Sequence, residues 1–350
     1  MARIRAICID PPVMNSSCLW ASDLSDLRAL YDSPYTGAVT TRTATLQGFN
    51  EDESHAHAFL KNSITSINSY GYSPHPLSRY IEWVRILLTT PMADGSKPAK
   101  PIIMSITAST PPILAQMVSQ IQTLRVALRD AHSSSPPDAS VPDPSMLVAV
   151  EINTSCPNIP GSPPPAYSVQ HLFPFLDVLA TAVRADHSLT LGLKLPPYPE
   201  PTKAAEVVRV LGAYTFQRAD GTPVSPWAFL TCTNTLGNSL VFAEQVLSPA
   251  QDVKAKDNVE PRAQRFALPE GKGGLGGDAI HALALGNVHA FAQVLNENAD
   301  AALREVRVIG VGGVTSPAAA ARMWAAGASV VACATLLGKE GVKAFEILAA

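Results

Sequence analysis

The chain has 350 residues, 47% of them hydrophobic, and a formal net charge of −3. That apolar content fills a sizeable core and excludes a disordered chain; the charge balance gives no electrostatic reason to expect nucleic acid or an anionic membrane as partner. Five scattered cysteines never pair as CxxC, and eight histidines form no HExxH, so a disulfide framework and a metal centre are both unexpected.

At the amino terminus the only apolar run, Ala6 to Ile9, is too short for a signal peptide and stops at Asp10-Pro11-Pro12. No stretch approaches the roughly 18 uninterrupted apolar residues of a membrane helix, so a cytoplasmic protein is expected. Strand-like runs then alternate with amphipathic ones. The pattern predicts a strand at Val13–Ser17 and a helix at Ser22–Tyr31, then Gly37–Thr41 with Pro76–Leu88, and Ile102–Ile106 with Pro111–His132. Next come Leu147–Asn153 with Val169–Ala185, Leu189–Leu195 with Lys203–Gly212, and Phe229–Thr233 with Asn287–Asn298. Arg307–Val311 with Pro317–Ala326 and Ser329–Ala334 with Lys339–Leu348 complete the series. Continuously apolar strands suit a parallel sheet covered on its outer face. Strand-then-helix units in this number predict an α/β fold, a (β/α)8 TIM barrel forming one domain over residues 1–350; an open doubly wound sheet is the alternative.

Three connections are read as insertions: Thr43–His75, the proline-rich Ser133–Ser145, and Leu247–Gly277, which ends in GKGGLGG. The first and third follow strands, on the face where barrels build lids and sites; the second precedes a strand and falls on the opposite face.

Reactive residues gather at strand carboxyl ends: Arg42, Asn153 and Cys156, Lys194, Asn234, Gly312-Gly313 and Thr335. In a barrel these ends converge on one pocket. Gly312-Gly313 followed by Thr315-Ser316-Pro317 reads as bare amides beside a helix start, a phosphate site to which Thr335 adds a hydroxyl, or else as a plain strand–helix turn. Lys194 ends an apolar strand, where an ammonium needs a negative partner such as a reduced flavin, unless it snorkels to solvent. Cys156 lies in a polar, proline-held loop and is a candidate general base; Cys8 and Cys333 default to small buried hydrophobes, and Cys232 to core packing. Asn68, Asn153, Asn158 and Asn234 offer uncharged donors and acceptors suited to a planar heterocycle, although each could be an ordinary turn asparagine. Each histidine is read as a surface or packing residue.

With these residues in view, EINTSCPNIPG (Glu151–Gly161) resembles the active-site loop of the soluble, fumarate-linked class 1A dihydroorotate dehydrogenases. SINSYG (Ser66–Gly71), KLPPY (Lys194–Tyr198) and TCTNTLGNSL (Thr231–Leu240) resemble further signatures of that family. So do GGLGG (Gly273–Gly277), ALGNVHAF (Ala284–Phe291), GVGGV (Gly310–Val314) and GASVVACATLLGKEG (Gly327–Gly341), all in family order. The resemblance implies FMN as cofactor, dihydroorotate as substrate, fumarate as acceptor and a homodimer. It implies that Cys156 takes a proton from C5 while C6 gives hydride to the flavin. Substrate would be held by Arg42, Asn68, Ser69, Tyr70, Gly71, Tyr72, Asn153, Asn158, Asn234 and Thr235. FMN would be held by Ser17, Arg42, Thr43, Asn153, Lys194, Thr233, Gly277, Gly312, Gly313, Ala334 and Thr335.

The chain departs from the family pattern in four places. Arg42 stands where lysine is usual, GFNEDESHAHAF (Gly48–Phe59) replaces the usual lid sequence, Ala334 replaces a glycine at the phosphate, and the chain ends at Ala350 before the family's terminal segment. Two other readings therefore stay open: an FMN enzyme of another cyclic amide or an enoate, and a catalytically weak paralogue with a binding or regulatory role.

Overall fold

The computed structural model describes residues 1–134, 142–155, 165–247 and 265–350. Eight parallel strands form the central sheet: β1 (Val13–Asn15), β2 (Val39–Thr40), β3 (Ile102–Ile106), β4 (Val148–Asn153), β5 (Thr190–Leu195), β6 (Phe229–Cys232), β7 (Arg307–Val311) and β8 (Val330–Cys333). They pair in the order β1-β8-β7-β6-β5-β4-β3-β2. A parallel bridge between Met14 and Ala38 joins β1 to the entry of β2 and closes the barrel. The open-sheet alternative is thereby excluded.

Outside the strands lie α1 (Leu24–Asp32), α2 (Leu77–Thr89), α3 (Pro111–Ser133), α4 (Phe173–Ala185), α5 (Thr202–Gly212), α6 (His281–Asn296), α7 (Pro317–Ala325), α8 (Thr335–Glu340) and α9 (Lys343–Ala349). Their starts follow local chemistry. The Asp23 carboxylate accepts from the Asp26 amide at 2.9 Å to cap α1, and Ser316 Oγ accepts from the Ala319 amide at 3.2 Å to cap α7. Every residue of β3, β4 and β5 is buried, because the helices cover one face and the barrel interior the other.

Three features differ from the sequence reading. First, Ala2–Ile4 and Ile7–Ile9 form an antiparallel hairpin. Its Ile4, Ile7 and Ile9 plug the amino end of the barrel against Met14, Ile103, Phe229 and Ile309. At its tip, the Arg5 guanidinium donates to the carbonyls of Leu189 (3.0 Å), Pro226 (3.2 Å) and Ser225. Alternation in this hairpin turns Cys8 outward, so it is exposed rather than a buried hydrophobe.

Second, two presumed insertions contain strands. His57–Phe59, Thr65–Asn68 and Lys272–Gly277 join Leu236–Leu240 in a four-stranded antiparallel sheet over the carboxyl end of the barrel. Of the Ser133–Ser145 segment, residues 135–141 lie outside the described residues; its ends connect α3 to β4, on the opposite face. Third, α6 starts at His281, earlier than Asn287, and the expected last helix is broken at Gly341 into α8 and α9.

Candidate active site

A cleft of about 1040 Å³, part of it open solvent, lies at the carboxyl ends of the barrel strands beneath the antiparallel sheet. Of the residues expected at a site, it brings together Ser17, Arg42, Thr43, Asn68, Tyr70, Gly71, Asn153, Lys194, Thr233, Asn234, Thr235, Gly277, Gly312, Gly313, Ala334 and Thr335. These come from seven of the eight strand ends and from the covering sheet, which is why they are scattered in sequence. Ser69 and Tyr72 do not line it. The Ser69 hydroxyl donates to the Ser54 carbonyl at 2.7 Å, and the Tyr72 ring packs edge-on against Phe49. Cys156 and Asn158 lie outside the described residues.

One end of the cleft is lined by Gly276, Gly277, Gly312, Gly313, Ala334 and Thr335. Among the described residues, no carbonyl or side chain accepts from the amides of Gly313 and Val314. Such amides beside the start of α7 form an anion-binding concavity. The loop is held from behind: Arg322 Nε donates to His281 Nε2 at 3.1 Å, so His281 carries its proton on Nδ1 and donates it to the Gly312 carbonyl at 2.8 Å. Thr335 Oγ1 meets Ser66 Oγ at 2.9 Å. Ala334 has φ −129° and ψ −54°, so the position does not need the positive φ that favours glycine.

Lys194 occupies the middle of the floor. Its ammonium is buried and donates to the Ser17 carbonyl at 3.3 Å; among the described residues no carboxylate lies within ion-pair distance. Beside it the asparagines are tied together. Asn234 Nδ2 donates to Asn153 Oδ1 at 3.1 Å and to Ser155 Oγ at 3.2 Å, while Asn153 Nδ2 donates to Thr43 Oγ1 at 3.1 Å. Asn68 Nδ2 donates up to the Gly274 carbonyl at 3.2 Å.

Arg42, expected to face substrate, lines the cleft with its guanidinium already bonded to protein groups. Its guanidinium donates to Ser22 Oγ (3.2 Å), to the Tyr72 carbonyl (3.1 Å) and to Glu51, with which it forms an ion pair, and it lies over the Tyr70 ring at 5.4 Å. These bonds tie the connection that follows β2 to the turn after β1.

Several lining residues were not anticipated: Cys18, Trp20, His57, Ser66 and Cys333. Cys18 follows β1, so its position at a strand's carboxyl end was the signal available. Burial pushes its thiol up to about 12, against the lowering effects of a Trp20 backbone hydrogen bond and of Lys194 and Arg42, so it stays protonated at neutral pH. Trp20 meets His57 edge-on at 5.5 Å and stacks on Phe59 at 5.9 Å. Trp20 comes from the 3-10 turn Leu19–Ala21 after β1, whereas His57 and Phe59 are placed by strand pairing in the covering sheet, which sequence periodicity did not reveal.

The comparisons with known proteins agree with this geometry. Residues 241–349 match the family model described as dihydroorotate dehydrogenase. A Streptococcus agalactiae serotype Ia protein, provisionally named dihydroorotate dehydrogenase A (fumarate), is 27% identical over 343 residues, covering 98% of this chain and 89% of its own. A Streptococcus equi subsp. equi protein with the same provisional name is 27% identical over 348 residues, again 98% and 89%. One from Streptococcus pyogenes serotype M18 is 28% identical over 339 residues, 96% and 86%. Over a closed barrel with a cleft at its carboxyl end, the chain is thus similar to dihydroorotate dehydrogenases along nearly its whole length.

Proposed function

We propose that the protein is an FMN-dependent oxidoreductase acting on a CH–CH bond, which converts dihydroorotate to orotate in pyrimidine biosynthesis and is reoxidised by fumarate. The observation that carries the reading is the floor of the cleft. Lys194, a buried ammonium without a carboxylate partner among the described residues, lines the cleft together with glycine-rich amides that have no acceptor among those residues and with a group of linked asparagine amides. These residues fit a flavin mononucleotide: amides and Thr335 for its phosphate, Lys194 for negative charge on its ring. When bound, the cofactor supplies the hydride acceptor. The chain's own part is to orient a heterocycle through Asn68, Asn153, Asn234 and Thr235 and to hold the proton that leaves C5, a task given to Cys156.

We place the protein in the cytoplasm as a homodimer, as in the fumarate-linked class. No helix among the described residues is long and apolar enough to cross a membrane. One observation favours a second reading, oxidation or reduction of another cyclic amide or an enoate: Arg42 is held by Glu51 and the Tyr72 carbonyl, so a substrate carboxylate would have to displace existing bonds.

The test is Cys156→Ser under anaerobic conditions. The variant should retain stoichiometric FMN and lose at least two orders of magnitude in the rate of flavin reduction by dihydroorotate, as for loss of a general base. An unchanged rate would remove Cys156 from the chemistry.

A further inference from the structure

Beneath the cleft lies a carboxylate that the reading above does not use. Glu151 sits in β4 and is 1% exposed. Among the described residues its oxygens accept from two hydroxyls, Ser105 Oγ at 3.1 Å and Thr231 Oγ1 at 2.7 Å. A hydroxyl has one hydrogen and two lone pairs, so the direction of each following bond is determined. Ser105 commits its hydrogen to Glu151; Thr43 Oγ1, 3.0 Å from Ser105 Oγ, must therefore donate to Ser105. Thr43 Oγ1 already accepts from Asn153 Nδ2, and its remaining lone pair takes the hydrogen of Ser17 Oγ at 3.0 Å. Thr43 is then saturated. Ser17, which lines the cleft, offers it lone pairs only.

The same constraint orients Asn153. With Nδ2 turned to Thr43, Oδ1 faces Asn234 Nδ2 and the Ser155 amide at 3.2 Å, so the asparagine group inherits its polarity from the carboxylate.

We propose that Glu151 is a positioning residue: through Ser105 and Thr43 it makes Ser17 Oγ a fixed acceptor that selects a ring N–H on the bound heterocycle. The inference rests on the flavin reading, since oxidised FMN carries one such ring N–H. A reversed chain would present a donor instead and repel it.

The probes are FMN and its N3-methyl analogue, titrated into the apoprotein. The native protein should prefer FMN. Ser105→Ala leaves the Thr43 hydrogen without its acceptor and should reduce that preference about tenfold, since satisfying Thr43 then competes with accepting from the ring. Glu151→Gln has one acceptor oxygen for two hydroxyl donors and should lose less; adding it to Ser105→Ala should lower the preference no further. Binding of the methylated ring serves as the control for folding. An unchanged preference in Ser105→Ala, additive losses in the double variant, or equal weakening toward both rings would each overturn the proposal. If the native protein takes up neither flavin, the failure lies with the flavin reading itself, and this inference falls with it.

Discussion

Gly313 is the position where the account of the cleft is most exposed to test. Its φ is +67°, and a Cβ built there would stand 2.5 Å from the His281 Cβ and 3.0 Å from the Gly277 carbonyl oxygen. An alanine in that conformation costs about 1–2 kcal/mol, and forcing a methyl group into a packed contact costs about 1–3 kcal/mol more. Gly313→Ala should therefore destabilise the protein by about 2–5 kcal/mol. Any relief by movement would displace the amides proposed to face a phosphate, so FMN affinity should fall at least tenfold, about 1.4 kcal/mol. Gly286→Ala is the matched control: Gly286 lies inside α6, with no atom within 4 Å of its added Cβ, and should stabilise by about 0.5–1 kcal/mol. Denaturant titration of both apoproteins and fluorescence titration with FMN measure the effects. A Gly313→Ala protein as stable as its parent, with undiminished FMN affinity, would refute the reasoning about this loop.

Three further outcomes are expected. Lys194→Gln removes the cation beside the proposed ring and should lower the potential of the bound flavin by roughly 30–60 mV, equivalent to about 1.5–3 kcal/mol for two electrons; an unchanged potential in spectroelectrochemistry would place Lys194 outside its role. Arg42→Lys cannot reproduce the fork to Ser22, Glu51 and the Tyr72 carbonyl, so amides of residues 49–56 should exchange hydrogen faster, by about 1–2 kcal/mol of protection. Unaltered exchange would show that these bonds do not hold the connection. Asp186 carries a desolvation cost outweighed by hydrogen bonds from Ser188 and Gln122 and by Arg125 at 2.5 Å, which hold its carboxyl well below the usual range. The stabilisation is present above the unfolded carboxylate value, about 3.9, and is lost as pH falls through the folded one. Asp186→Asn should accordingly cost about 2–3 kcal/mol at pH 7, with the difference from the parent shrinking in strong acid; a pH-independent difference would contradict this.

The barrel was legible because its strands obey a simple rule. Ile102–Ile106 and Arg307–Val311 are short, mostly apolar runs, and both are found as read. The amino-terminal hairpin escaped notice since its strands have only three residues each, too few for a period-two signal. Lys272–Gly277 escaped for another reason: four glycines argue against a strand, yet small residues are what allow this one to approach the Asn68 backbone and Thr335 closely. Most cleft residues were found because strand ends converge in this fold, so position alone nominated Lys194, Asn153 and Gly312. His57 reaches the cleft through pairing of the covering sheet and Trp20 from the turn after β1, while Arg42, which lines the cleft, is also held by Glu51, nine residues on; neither long-range pairing nor a side-chain direction is written in local pattern. Cys8 was misjudged because one residue of register decides which face of a hairpin a side chain takes.

The most direct test of the proposed function is the visible spectrum of the purified protein, recorded without oxygen before and after adding dihydroorotate and then fumarate. The account predicts a yellow protein that bleaches promptly with dihydroorotate and regains its colour with fumarate. A yellow protein that dihydroorotate leaves unbleached would contradict the substrate, and a colourless protein that takes up no added FMN would contradict the flavin site altogether.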